Sequence, residues 1–446
     1  MSQTFASLRI FNYRLWFAGA LVSNVGTWMQ RVAQDWLVLT VLTPESGVAV
    51  GITTALQFLP FLLLSAWAGL LADRFDHRTL LMWTQIGQAV LGLALAALTL
   101  LGHVELWHVY VLAFALGVVA AIDGPARQTF VSDLVPTSNL QNAVALNSTS
   151  FNAARLIGPG VAGLLIAAVG TGWVFLINAL TYAATIAALS LMRASELHPQ
   201  ERASRRRGQV REGVRYMRRR PDLMIITIVV GVVAALGLNF QLTSAMMAAT
   251  EFGRGAGEYG LLGSVIAIGS LAGALAAARR RQARLRLVVG AAFAFGVAAG
   301  LNALAPTYWL YLVTCVPVGF TALTMITSAN AAVQTSTTPR MRGRVMALYM
   351  MVFLGTTPIG SPIVGWIGEH WGPRWSIAVG AIAALLVSVA AAAWVVRDQR
   401  LTLTYQLSRP FVRVRYPTPE EAEREARDAA AEDVLAQQIE DRTAQS

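Results

Sequence analysis

The 446-residue chain has no lysine, one cysteine (Cys315) and few charges, 13% of its residues. Without lysine there is no phosphate-gripping Walker loop, so nucleotide hydrolysis by that motif is excluded. A single cysteine rules out an intrachain disulfide and any Cys-x-x-Cys metal or redox site. The five histidines are scattered, and their spacing supplies no metal-ligand motif and no convergent catalytic set. No metal, cofactor or catalytic site is expected, and the chain is not read as an enzyme. So few charges also cannot coat a soluble domain. Hydrophobic residues make up 55% and the mean hydropathy is +0.54, the composition of an integral membrane protein.

What the chain has in excess is arginine. The formal net charge is +11 and the isoelectric point about 10.6. In a soluble protein that would suggest nucleic acid, but here most arginines cluster in a few segments between apolar runs, as anionic lipid headgroups and the positive-inside rule require. Lipids are thus expected partners, and nucleic acid is not. Arg9 and Arg14 precede an apolar segment of about 26 residues, far longer than the roughly 7 to 15 residues of a signal-peptide core. That segment is expected to stay as the first membrane helix.

Apolar runs of about 20 residues predict crossings near 15–41, 48–72, 79–101, 106–129, 142–169 and 172–192. A second set is predicted near 223–249, 257–278, 287–304, 307–332, 345–368 and 374–396. Arginine tests the orientation independently. Alternate connections hold Arg74 and Arg78, then Arg127, then ten arginines from Arg193 to Arg220, then Arg279 to Arg286, then Arg340, Arg342 and Arg344. The remaining connections contribute only Arg254 and Arg374. Both termini should therefore be cytoplasmic. The expected organisation is a cytoplasmic N-terminus (1–14), a six-helix bundle (15–192), a basic central loop (193–222), a second six-helix bundle (223–396) and a charged cytoplasmic tail (397–446). In the tail, Thr418 as N-cap and Pro419 at the first helical position predict a helix to Asp441.

The halves repeat at an offset of 202: Gly158, Gly163, Gly170 and Trp173 fall on Gly360, Gly365, Gly372 and Trp375. The offset sets the fifth span on the eleventh, as two pseudo-symmetric bundles require. Shared helix-packing preference would give the same matches, and both readings stay open here.

Ionisable groups inside a span are costly, on the order of 2.5 to 3.5 kcal/mol on insertion scales, and so mark cavities or partners. The first helix carries Asn24, Thr27, Arg31, Gln34 and Asp35, which share one side as 24, 27, 31 and 34 or as 24, 28, 31 and 35. Arg31 and Asp35 are one turn apart and can pair locally. Asp35 is also the only acid well inside a span, Asp123 being near a helix end, which makes it the candidate proton carrier. Arg155, mid-span in the fifth helix, has no acid within a turn; its charge must be met by carbonyls, water, another helix or a bound anion. Gln57, Gln85, Asn178, Asn239 and similar residues read mostly as interhelical hydrogen bonds.

GLLADRFDHR, Gly69 to Arg78, resembles the loop signature of the major facilitator superfamily, Gly-x-x-x-Asp-Arg-x-Gly-Arg-Arg/Lys, at Gly69, Asp73, Arg74 and Arg78. It departs at Asp76 and His77. ARLIGPGVAG, Ala154 to Gly163, resembles the antiporter motif of proton-driven exporters at Gly158, Pro159 and Gly163, with alanine at two glycine positions. A glycine-rich packing face reads the same way. Residues 5–396 as a whole resemble the bacterial branch containing siderophore exporters and multidrug efflux proteins.

The resemblance implies twelve helices in two bundles rocking about a midplane site. It also implies that Asp73 caps the eleventh helix near Arg344 and Val345 when the cytoplasmic side is closed, and that Arg74 or Arg78 meets Asp123. A carboxylate at a helix N-terminus is worth about 0.3 to 1 kcal/mol, enough to bias such an equilibrium without locking it. The function expected is monomeric, proton-coupled export of a drug or siderophore across the cell membrane. Asn24, Arg31, Gln34, Asp35 and Arg155 would line the cavity, and Gly69, Asp73, Arg74, Arg78, Asp123 and Arg344 would form the cytoplasmic gate. The alternatives are a proton-independent facilitator or uptake carrier and, from another class, a sensor or scaffold acting through its tail.

Overall fold

The computed structural model describes residues 3–198, 209–278 and 285–398, with two short strands at 402–405 and 412–415. The first half consists of α1 (Phe11–Leu37), α2 (Gly47–Arg74), α3 (His77–Leu100), α4 (Leu106–Asp133), α5 (Leu140–Val169) and α6 (Thr171–Leu191). A short connecting helix, α7 (Gln209–Arg218), precedes the second half. That half consists of α8 (Pro221–Gly237), α9 (Phe240–Met246), α10 (Ala256–Ala278), α11 (Leu285–Ala303), α12 (Tyr308–Ser336), α13 (Pro339–Gly355), α14 (Thr357–Trp371) and α15 (Pro373–Asp398). Among the described residues, eleven stretches are long and apolar enough to cross a membrane, with α8–α9 and α13–α14 each counting as one. At 27 residues α1 is also long enough, about 40 Å at 1.5 Å per residue. Its asparagines, glutamines and charges place it below the apolarity of the others, and it crosses shielded by its neighbours α5 and α6.

Two predicted spans are broken rather than continuous. The seventh crossing stops at Leu238 and Asn239, whose backbones leave the helical region (φ −85°, ψ 46° at Asn239). Gly237 just before them is a weak helix former. The eleventh breaks at Thr356, where Pro358 supplies no amide to continue the ladder. Loop chemistry sets the other starts. Ser46 accepts from the Ala49 amide, Asp76 from the Thr79 amide, and Thr307 from the Leu310 amide. Asp76, the departure from the loop signature, is therefore the N-cap of α3.

The halves meet along two seams at the end that carries the arginine-poor loops. There α2 packs on α14 and α5 on α10 at backbone distance. A Cβ on Gly47 would stand 2.6 Å from the Gly365 carbonyl, and one on Gly163 would stand 2.5 Å from the Ala256 carbonyl. Small residues permit such approach between membrane helices. The sequence repeat reappears in three dimensions. Gly158 lies against α1 (Val25, Trp28) and Gly360 against α8 (Ala235), the first helix of each half; Gly163 lies against α10 and Gly365 against α2, the second helix of the opposite half. Gly170 and Gly372 both hold positive φ, 86° and 100°, where the next helix begins.

A second unit runs from Val389 to the C-terminus. Besides the end of α15 it contains an antiparallel pair, β1 (Thr402–Tyr405) and β2 (Val412–Arg415), with Thr402 opposite Arg415. The tail was expected to be helical from Thr418 to Asp441; that segment lies outside the described residues.

The seams predict a measurable closure. In a Cys315→Ser background, cysteines at Ser46 and Glu369, whose side chains bond at 2.7 Å, should cross-link efficiently. Adding Gly365→Val should shift the closed–open equilibrium by about 1–3 kcal/mol through overpacking and cut the yield; an undiminished yield would show that this contact does not hold the ends together.

Candidate functional site

Between the halves lies a cavity of about 230 Å³ whose wall combines α1, α2 and α5 with α8–α10 and α12–α14. The seams close it at the arginine-poor end: its lining on α2 begins at Thr54, beyond Gly47 and Gly51, and on α5 at Pro159, short of Gly163. From α1 the lining residues are Trp28, Arg31, Val32 and Asp35, so one of the two possible helix faces is selected. Asn24 continues that face a turn outside the cavity. Gln34 points elsewhere and is 1% exposed, with an amide nitrogen that has no partner in the protein. Gln34 is displaced because about 100° of helix rotation separates it from Asp35, and Asn24 because the cavity ends before its turn.

Arg31, Asp35 and Arg155 are the three charges in the wall. Arg31 and Asp35, which their spacing allowed to pair, attract each other through space but make no contact ion pair. Arg31 instead sits over the Trp28 ring at 5.1 Å and the Phe58 ring at 5.5 Å. Arg155 shares Trp28 at 5.9 Å and donates to Ser270 Oγ of α10 at 3.3 Å. Aromatic faces stabilise a guanidinium by roughly 0.5 to 2 kcal/mol while leaving its N–H donors free for another partner. Among the described residues Asp35 has neither an ion pair nor a side-chain hydrogen bond, and it is 4% exposed. The site therefore offers one unpaired carboxylate and two guanidinium groups, with aromatic walls from Trp28, Phe58, Phe240, Tyr259 and Phe353.

Several wall residues were not legible in the sequence. Gln57 and Asn239 were expected to bond between helices, yet both line the cavity. Asn239 donates to the Ala235 carbonyl at 2.7 Å while its oxygen has no partner in the protein. Its signal was positional: an asparagine two residues after glycine, inside an apolar span, where the helix breaks.

The antiporter-like motif divides between two tasks. Gly158 and Gly163 let α5 touch α1 and α10, and Pro159 lines the cavity. At the arginine-rich end several residues expected in the gate have other partners. Gly69 and Asp73 belong to the last turns of α2, and the Asp73 side chain lies outside what the structure describes. Arg74 is exposed. Arg78 donates to the carbonyls of Leu189 and Ser190, not to Asp123. Asp123 accepts from Arg127 at 2.9 Å, Thr84 at 2.7 Å and Gln85 at 2.8 Å, because Arg127, one turn along α4, reaches it without crossing to another element. Arg344 pairs at 2.6 Å with Glu212 of α7.

Twelve crossings in two pseudo-symmetric halves around one cavity define a membrane transporter of the major facilitator fold. The family model described as "Transmembrane secretion effector" matches residues 2–413, and the chain belongs to that family. It is 28% identical over 387 residues to the multidrug efflux pump Tap of Mycolicibacterium fortuitum, covering 83% of this chain and 93% of that protein. It is 25% identical to the enterobactin exporter EntS of Shigella boydii, covering 84% and 90%. The match to the staphyloferrin A transporter of Staphylococcus aureus, 30% identical, spans 38% of this chain and 42% of that protein. Among solved structures, a D-xylose–proton symporter superposes with a TM-score of 0.68 at 13% identity over 85% of this chain and 96% of that one. A bacterial homolog of the human lysosomal transporter Spinster gives 0.66 at 14%, covering 86% and 96%. These structural likenesses concern the fold alone.

A double-mutant cycle on thermal stability checks the Asp123 assignment. Asp123→Asn with Arg127→Gln should show a coupling of about 1–3 kcal/mol, and Asp123→Asn with Arg78→Gln should be additive within about 0.5 kcal/mol. The reverse order would return Asp123 to the loop arginines.

Proposed function

We propose that the protein exports a small acidic molecule in exchange for protons, with Asp35 as the proton carrier. The observation that carries this reading is the composition of the wall: one carboxylate without a partner, one turn from a guanidinium whose donors are not committed to it. A carboxylate in such a place changes the net charge of the cavity when it gains or loses a proton. With Asp35 ionised, its oxygens accept a donor group of the cargo; with Asp35 protonated, that position is taken, so proton and cargo exclude each other as exchange requires. Arg31 and Arg155 then offer planar, fixed donors to an anionic group, and the aromatic walls take an apolar or aromatic body. The relatives named for siderophores support such cargo, and Tap supports efflux. A proton at Asp35 displaces the cargo's donor group and cargo bound there displaces the proton, which links the two fluxes in opposite directions.

The arginine distribution supports both termini on the cytoplasmic side. In that orientation the seams close the outer end, and the state described here faces inward. Alternating access then separates the seams outside and brings the arginine-rich ends of α2 and α13 together. Asp73 and Arg344 would lie at that closing contact, with Glu212 competing for Arg344. Because the cavity and both seams are built within one chain, a monomer suffices.

Asp35→Asn should abolish proton-gradient-driven uptake into everted vesicles, which is export in the cell, while substrate counterflow, which needs no net proton movement, persists. Uptake at the parental rate would sink the coupling assignment. Arg155→Gln should weaken an anionic substrate by about tenfold, the worth of one charge-assisted contact, and leave a neutral one nearly unaffected. Equal effects on both would remove the anion-binding role.

A further inference from the structure

The central cavity does not account for the polar interior of the N-terminal half. Among the described residues of that half, seven buried side-chain atoms have no partner in the protein; besides Asp133 Oδ1 and Ser150 Oγ they are Trp16 Nε1, Gln34 Nε2, Gln85 Oε1, Gln88 Nε2 and Arg127 Nη1. These last five are not scattered. Gln85 and Gln88 stand one turn apart on the buried face of α3, and the next turn is Gly92, where a Cβ would come 3.7 Å from Gln30 Oε1. Gln30 accepts from the Asn178 amide of α6. Gln34 is one turn further along α1, beside Asp35.

Tyr182 of α6 links these layers. Its hydroxyl meets Thr27 Oγ1 at 3.2 Å and also bonds Asn178. It lies within electrostatic reach of Asp123 and Arg127 on one side and of Arg31 on the other. At the lower end Thr84, Gln85 and Arg127 converge on Asp123. Beneath them Tyr13, Trp16, Leu81, Phe130 and Leu134 form an apolar cluster, in which only the Trp16 Nε1 is a polar atom without a partner, so the outlet is sideways at the Asp123–Arg127 pair, whose side chains are 9% and 18% exposed.

Buried polar atoms without protein partners bind ordered water, which typically makes two to four hydrogen bonds. We propose that the core of the N-terminal half is a hydrated proton path joining Asp35 to Asp123 and Arg127, separate from the substrate cavity. It rests on the proton-coupled reading above. The amides of Gln34, Gln85 and Gln88 orient the waters; the waters and the Tyr182 and Thr27 hydroxyls carry the proton. Each oxygen accepts one proton and releases another, Asp35 ends ionised, and the proton reaches solvent at Asp123 with no other co-reactant. The path lets a proton leave while the cavity holds its cargo.

The test uses the full chain in proteoliposomes containing a pH-sensitive dye. Gln88→Leu should lower substrate-linked proton flux by about tenfold or more, the size expected when one link of a hydrogen-bonded chain is lost, while counterflow, which also reports folding, is unchanged. Gln85→Leu should repeat the result if Gln88→Leu does not fold. Parental proton flux in a variant that retains counterflow overturns the path and leaves Asp35 as carrier. A parental protein with no substrate-linked proton flux overturns the coupling reading, and the path with it. Hydration has its own readout. Radiolytic hydroxyl labelling should modify Trp16, which is 0% exposed, and Gln88→Leu should protect it; an unlabelled Trp16 overturns the proposal.

Discussion

The structure depends on backbone-to-backbone contact between its halves. Gly47 against Gly365 and Gly163 against Ala256 and Gly260 bring helices of opposite halves closer than any side chain would allow. In a bilayer, apolar side chains gain little by leaving lipid for protein, so helix association must come from close packing and hydrogen bonds. Ser361 donating to the Gly51 carbonyl and Glu369 accepting from Ser46 Oγ and the Val48 amide supply the bonds. Contacts of this kind either interlock or separate, which suits an interface that has to open. The cavity exists because the same helices diverge once their glycines give way to Thr54, Gln57 and Pro159.

The cavity's electrostatics follow from that geometry. A guanidinium in a low-dielectric site needs compensation, and the expected source was the carboxylate one turn away. Trp28 intervenes because Gly158 lets α5 approach α1 at that residue, so one indole is shared by Arg31 and Arg155. Aromatic compensation keeps the N–H donors uncommitted and leaves Asp35 unpaired. An ion pair would have neutralised both groups and removed the chemistry on which the transport reading rests.

Legibility differed by the range of the interaction. Span positions, the arginine asymmetry and the repeat were readable because hydrophobic length and local composition act on each segment separately. The repeat was more than a shared taste for glycine, since matched residues contact matched partners. Asp76 was unexplained as a departure from a signature and is plain as an N-cap, a local role obscured by comparison with a pattern. Asp123 was assigned to distant arginines although Arg127 stands four residues away on its own helix, and the nearest donor prevails where reaching farther costs chain entropy.

By itself the sequence determined a multi-pass helical membrane protein with one deep acid, because apolar span length and arginine placement are one-dimensional quantities. The tertiary structure alone decided which face of α1 lines the cavity, that Arg31 and Arg155 stack on one tryptophan instead of pairing with Asp35, and where α8–α9 and α13–α14 break. Those outcomes depend on which helices touch and how closely. A glycine 202 residues from its counterpart is visible in the sequence; the carbonyl it lies against becomes known only when the helices meet.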